Sequence, residues 1–251
     1  MIFTILTLFP EFFESPFKTS IIGRALKQKK IEIEIINIRD FAEGKHRVTD
    51  DEPYGGGVGM VMKPEPIIKA IKYLKTKAPS AWITMLSPQG RVFNQQVAFE
   101  LSQKGHLAFI CGHYEGIDER VRLFVDDDIS LGDFILTGGE PAAICIVDAI
   151  ARLIPGVVGK QESVEEESFS QGTLEYPHYT RPAVYEGYKV PEILLSGHHQ
   201  NIARWRRQQA LLRTLILRPN LLAKGELCDD DAAFLKEICQ KLDALFFKKH
   251  D

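Results

Sequence analysis

Leu131-Gly-Asp-Phe-Ile-Leu-Thr-Gly-Gly-Glu140 joins an apolar run, Phe134 to Leu136, to a glycine pair that opens the apolar pattern Ala143–Ile154. It reads as an extended segment over Ile129–Leu136 followed by a turn into a helix. Adjacent glycines at such a junction serve in two ways. They supply backbone angles that other residues avoid, or they let backbone approach a flat ligand with no Cβ in between. One strand earlier, Cys111-Gly-His-Tyr-Glu-Gly-Ile-Asp-Glu-Arg120 has the same form, a strand end and then a glycine-bracketed polar turn. Leu86-Ser-Pro-Gln-Gly-Arg91 is a third. Turns at neighbouring strand ends are where an open α/β sheet places its ligand. No lysine-bearing phosphate loop accompanies them, so the pocket suits a nucleoside-like ligand better than a nucleoside triphosphate.

Outward from these turns, strand and helix patterns alternate through the first 155 residues. Strands are expected at Ile2–Leu8, Ile31–Ile38, Ala81–Leu86 and Leu107–Cys111. Helices are expected at Glu11–Gln28, Pro64–Lys77, Asn94–Lys104 (with Asn94 as N-cap) and Ala143–Ile154, and a helical turn or two at Gly116–Phe124. This rhythm predicts a mostly parallel sheet with helices on both faces. The pattern fails between Gly156 and Tyr179, where an acidic, aperiodic run reads as a linker or lid. Helices return at Asn201–Leu217 and Asp229–Lys248, making a smaller helical C-terminal domain. The expected division is 1–159, a flexible segment 160–176, and 177–251.

At 251 residues, 45% hydrophobic and 26% charged, the composition is that of an ordinary globular protein. No run approaches the roughly 18 apolar residues of a membrane span, and the N-terminus has no basic leader, so a cytoplasmic protein is expected. The four cysteines show no paired spacing, and Cys111 and Cys145 lie in apolar runs as small hydrophobes. The net charge of −3 hides an uneven distribution. Ile193 to Gly225 contains no acid but holds Arg204, Arg206, Arg207, Arg213, Arg218 and Lys224. Such a stretch is either a nucleic-acid footprint or a solvated helix face. Within it Ile202, Trp205, Leu212 and Ile216 fall near one face, with Trp205 expected in the core, while Arg206 and Arg213 share another. Gly55, Gly56, Gly57 and Gly59 do not form a dinucleotide fingerprint, which weighs against a nicotinamide-dependent dehydrogenase. They form either a flexible loop or one that packs around a base.

Taken in order, Leu8-Phe-Pro10, Asp51-Glu-Pro-Tyr-Gly-Gly-Gly57, Leu86–Gly90, Cys111–Arg120, Leu131–Glu140, Ile154-Pro-Gly156, Pro177-His-Tyr-Thr-Arg-Pro182 and Ser196-Gly-His198 resemble the bacterial tRNA (guanine-N1)-methyltransferases of the knotted SPOUT class. The resemblance covers essentially the whole chain. It implies a trefoil knot late in the first domain, a homodimer with its active site at the subunit interface, and S-adenosylmethionine as methyl donor. It also implies magnesium dependence, with no site assigned, and N1 of the guanosine immediately 3′ of the tRNA anticodon as acceptor. By the same resemblance the donor pocket comprises Leu86, Ser87, Pro88, Gly112, Tyr114, Glu115, Leu131, Gly132, Phe134, Leu136, Gly138 and Gly139. Arg152 steadies the transition state, and Glu167, standing where the family has aspartate, is the general base. Gly55, Gly56, Gly57, Gly59, Glu175, His178, Arg181, His198, Arg204 and Arg206 are expected to meet the tRNA anticodon stem-loop. A second departure is Gly138-Gly-Glu-Pro-Ala142, whose proline comes one place earlier than in the family. An RNA-binding module without catalysis is the alternative that the residue at 167 leaves open.

Overall fold

The computed structural model describes residues 1–159, 167–170, 172–223 and 227–246. The chain divides into two compact units, Met1–Gln161 and Glu162–Asp251.

The first unit is built on a five-stranded parallel sheet in the order β2-β1-β6-β5-β7. The strands are β1 (Ile2–Thr7), β2 (Glu32–Asn37), β5 (Trp82–Val92), β6 (His106–Cys111) and β7 (Asp127–Ser130). A short antiparallel pair, β3 (Asp50–Asp51) and β4 (Val61–Met62), lies apart from it. Side chains alternate across the sheet with period two. Phe3, Ile5, Leu107, Phe109 and Cys111 enter one core, with Ala98, Leu101, Ile146 and Ile150 from helices α3 (Gln95–Ser102) and α4 (Glu140–Ala151). Leu6, Ala108 and Ile110 enter the other, with Ile67, Ile71 and Leu74 from α2 (Pro64–Lys77). A parallel sheet must be covered on both faces, and the apolar runs in β1 and β6 meet that demand.

Helix α2 and the Asn94 cap, whose side chain accepts from Val97 N–H at 3.0 Å, match the sequence reading. Three elements differ from it. The helix expected over Glu11–Gln28 is two 3₁₀ turns, Pro10–Phe13 and Pro16–Lys18, and then α1 (Ser20–Lys27). Pro16 has no N–H to donate and so interrupts the helical hydrogen-bond ladder, and the apolar periodicity of Phe13 and Phe17 is spent on a ring stack at 5.6 Å. Strand β5 does not end at Leu86. Its pairing with β7 shifts register between Leu86 and Arg91, so Ser87–Gly90 bulge outward and the strand resumes. The extension expected through Leu136 stops at Ser130, whose hydroxyl accepts from Gly132 N–H at 3.1 Å and bends the chain into a loop running to Gly139.

The second unit contains a hairpin, β8 (Val184–Tyr185) and β9 (Tyr188–Lys189), turned at Glu186-Gly187 with positive φ at both. After it come α5 (Glu192–Leu195), α6 (His199–Leu217), α7 (Pro219–Leu222) and α8 (Asp229–Phe246). Of the segment expected to be a linker, 160–166 and 171 lie outside the described residues. The remainder is tied to α6, where Leu174 N–H donates to Thr214 Oγ1 at 2.9 Å. The face of α6 that turns inward carries Arg207, Ala210, Leu211 and Thr214, while Ile216 is 75% exposed. Ile216 is therefore not a core residue. Polar groups take the inner face because each is paired: Thr214 donates to Ala210 O at 2.6 Å, and Arg207 forks onto the Asp231 carboxylate at 2.6–3.2 Å. All four cysteines are free; Cys145 is exposed on α4 and is not the buried hydrophobe its apolar neighbours implied.

Among the described residues no helix is long and apolar enough to cross a membrane.

Candidate active site

At the bulge of β5 and the C-terminal ends of β6 and β7 the first unit opens a cleft of about 490 Å³. This is the place and size expected of a cofactor site in an open α/β sheet. Three loops wall it: the Ser87–Gly90 bulge, the turn 112–117, and the loop 131–139. All twelve residues expected to hold the donor, from Leu86 to Gly139, line this one cleft.

The glycines explain how the walls come so close. Gly139 N–H donates to Gly112 O at 2.9 Å, and a Cβ on Gly139 would stand 2.7 Å from Cys111 Cα. A Cβ on Gly90 would strike the Asp128–Ile129 backbone at 2.4 Å, so β5 can bulge there only as glycine. The proline that departs from the family pattern, Pro141, occupies the first turn of α4, where its missing N–H costs nothing.

Side chains then fix the loops. Ser87 donates to both oxygens of Asp128 at 2.9 and 3.1 Å, and Arg122 bridges Asp128, Glu119 (2.7 Å) and Gln89 (2.9 Å). Asp127 pairs with Arg91, which also holds Glu100. Asp127 and Asp128 are thus partners of arginines along β7, and Asp126 just before it accepts from Ile83 N–H at 2.8 Å and pairs with Lys75, although in sequence the three look like one more acidic surface run. Arg120, hydrogen-bonded at 2.8 Å, holds the Asp118 carboxyl below the ordinary range. Burial, reinforced by the nearby Glu140 carboxylate, pushes the Cys111 thiol up, so it stays protonated and inert beneath the cleft.

Also beneath the cleft is a set of residues to which the sequence reading gave no role. Glu140 is 1% exposed, accepts from Thr7 Oγ1 at 2.6 Å, and pairs with His113 Nε2 at 2.7 Å. Both His113 and Glu140 belong to the motifs quoted above, yet nothing in their spacing says that they touch. A carboxylate as the first residue of a helix, beside two glycines, was the available signal.

The remaining expected residues lie elsewhere. Arg152 caps the far end of α4, a helix of 12 residues and so about 18 Å long, whose other end borders the cleft. Gly55, Gly56 and Gly57 stand in a loop with positive φ, the first two with open space around them and Gly57 beside Pro53; Gly59 packs on the Glu115 side chain. Tyr54, at the head of that loop, is fully exposed.

The second unit holds the others. Glu167 is half-buried in a turn in which Ser170 N–H donates to its carbonyl at 3.2 Å and Phe169 N–H to Thr173 O at 2.8 Å. Glu175 pairs with His178 at 2.8 Å, Arg206 lies 4.8 Å over the Tyr176 ring, and Arg213 reaches Glu175 O at 3.4 Å. Arg206 and Arg213 do share one face of α6, as their seven-residue spacing implies. Arg181, His198 and Arg204 are exposed. Among the described residues no group of three or more His, Cys, Asp or Glu converges as a metal site.

The family model described as tRNA (Guanine-1)-methyltransferase TrmD matches residues 1–224. The chain is 52% identical to a tRNA (guanine-N(1)-)-methyltransferase of Syntrophotalea carbinolica, over 97% of this chain and 99% of that one. It is 54% identical to the like-named protein of Dictyoglomus turgidum over 95% and 96%, and 56% identical to that of Syntrophomonas wolfei over 93% and 95%. A match of this length and identity, on a chain whose three glycine loops meet in one cleft, leads to one conclusion: the protein belongs to the tRNA (guanine-1)-methyltransferase family.

Proposed function

We propose that this protein transfers a methyl group from S-adenosylmethionine to N1 of a guanosine in tRNA, the one immediately 3′ of the anticodon, in the cytoplasm. The observation that carries the reading is the cleft at the bulge of β5 and the ends of β6 and β7. Its chemistry fits the donor. Leu86, Leu131, Phe134 and Leu136 offer apolar walls, and the glycine turns bare backbone to a flat ring. The Glu115 carboxylate suits a cationic ligand. The donor, when bound, supplies an electrophilic methyl on a positively charged sulfur.

The chain's own residues supply the rest. Guanine N1 carries a proton at neutral pH and attacks only once that proton leaves. Glu167 is the proposed base, its carboxylate one methylene longer than the family's aspartate. As the proton leaves, negative charge grows on the guanine O6, and the Arg152 guanidinium is proposed to stabilise it. That Arg152 and the cleft stand at opposite ends of α4 favours a homodimer whose active site draws on both copies. A trefoil knot late in the first unit is part of the same proposal, drawn from the family resemblance. Magnesium keeps most of its waters and binds through one or two carboxylates. The described residues offer no converged set for it, and no step here runs through the ion. The exposed arginines of α6 are proposed to meet the phosphates of the anticodon stem-loop.

The test is incubation of the full chain with an unmodified tRNA transcript and methyl-labelled donor, followed by nucleoside analysis. The expected product is 1-methylguanosine at the position 3′ of the anticodon; label at another atom or position would overturn the assignment. Glu167→Gln should bind donor as the parent does yet lose single-turnover transfer by about 100-fold or more. Near-parental turnover would pass the base role to Glu175.

A further inference from the structure

The Leu8-Phe-Pro10 motif has no part in the mechanism above, and neither His113 nor Glu140 touches the proposed acceptor chemistry. The structure joins all three motifs. Phe9 N–H donates to Thr7 Oγ1 at 2.9 Å, so that hydroxyl has an acceptor role filled and donates its own proton to Glu140 Oε1 at 2.6 Å. The other carboxylate oxygen, Oε2, meets His113 Nε2 at 2.7 Å. The Phe9 ring lies 4.6 Å from the His113 ring, and His113 N–H points at the Met62 sulfur at 3.2 Å. The end of β1, β4 and the start of α4 therefore meet at one residue of the turn after β6, His113: Met62 at its backbone N–H, Phe9 and Glu140 at its ring.

A carboxylate is not buried in this way without compensation, which here comes from two short hydrogen bonds and the first turn of a helix. The fit is tight on the remaining side as well. A Cβ on Gly138 would stand 2.3 Å from His113 Nε2 and 2.6 Å from Glu140 Oε2. His113 and Gly138 both line the cleft.

We propose that His113 is a positioning residue for methyl transfer. Through Glu140 and Thr7 it locks the turn after β6 to the loop entering α4, and so sets the width of the donor cleft. The lock acts from behind the wall. It holds Gly112 and Gly138–Gly139 at the separation in which Gly139 N–H reaches Gly112 O, and the donor lies against that pair of loops. The inference rests on the reading that this cleft takes the methyl donor.

The experiment compares the full-length parent with His113→Ala and His113→Gln. The amide N–H of glutamine can replace Nε2–H toward Glu140. Calorimetry with S-adenosylhomocysteine is expected to show binding weakened on the order of 10- to 100-fold in His113→Ala and largely restored in His113→Gln. KM for the donor should rise with it, while KM for tRNA stays at the parental value. In the ligand-free protein, amide exchange at 112–116 and 137–139 should quicken in His113→Ala alone. Should His113→Ala fold poorly, Gly138→Ala, which drives a methyl into the same ring, should reproduce the donor defect. Parental donor affinity in His113→Ala, or equal defects in the alanine and glutamine variants, would overturn the proposal. Failure of the parent itself to bind S-adenosylhomocysteine would instead overturn the reading of the cleft.

Discussion

The cleft of the first unit and the arginine face of the second are built in opposite ways. The cleft is made by backbone held at contact distance: Gly139 against Cys111, Gly90 against Asp128, with buried or half-buried ion pairs behind the loops. The second unit has little buried apolar surface among the described residues, chiefly Ala210 and Leu211, and presents Arg204, Arg206, Arg213 and Arg218 to solvent. The compact donor proposed for the cleft demands a fixed shape, because its affinity would come from close contact. A polyanion is attracted at a distance and tolerates side chains that adjust.

If that contrast is right, one methyl group should matter most in the first unit. Gly139→Ala should abolish donor binding in calorimetry and lower stability by about 1–3 kcal/mol, since the new Cβ meets backbone that cannot move aside. Gly56→Ala, in open space with φ of +79°, should cost about 1–2 kcal/mol of local strain and leave donor affinity intact. Equal effects at the two glycines would erase the distinction between wall and loop.

In the second unit the vulnerable point is polar. Asp231→Ala removes the partner of half-buried Arg207 and should cost about 1.5–3 kcal/mol, read as earlier thermal unfolding of that unit with donor binding unchanged. The same pair sets a pH dependence. Hydrogen bonding from Arg207 holds the Asp231 carboxyl below its ordinary value. Its contribution is therefore complete above the unfolded value near 3.9 and is lost as pH falls through the lower folded one. Acid unfolding of the second unit beginning below about pH 4, and shifted in Asp231→Ala, would sharpen the comparison.

The smallest effects belong to the exposed arginines. Arg204→Ala should weaken tRNA binding modestly and reduce the slope of log affinity against log salt by about 1. Arg206 also lies over Tyr176, so Arg206→Ala should cost more than its charge alone. Unaltered salt slopes in both would remove the arginine face from tRNA binding.

What the chain declares in one dimension is local. Short apolar runs gave β1 and β6, and alternation of apolar and acidic residues gave β2; an asparagine before an amphipathic run gave the cap of α3; glycine-marked turns after strands flagged the three loops, while the twelve residues of the cleft came from the resemblance to the family. Local rules failed where another local rule outweighed them, as at Pro16, or where burial was decided by pairing. The inner face of α6 is the clearest case: Arg207 and Thr214 turn inward because Asp231 and Leu174 N–H wait there, and a hydropathy pattern cannot register a partner 24 or 40 residues away. The buried run from Thr7 through Glu140 to His113 spans 133 positions in sequence and 2.7 Å or less per step in space. Composition and periodicity determined the strands, the helices and the turns that could bind. Only the tertiary structure decided which of those turns face one another, because contact between distant segments is fixed by how the sheet orders its strands and not by any residue's neighbours along the chain.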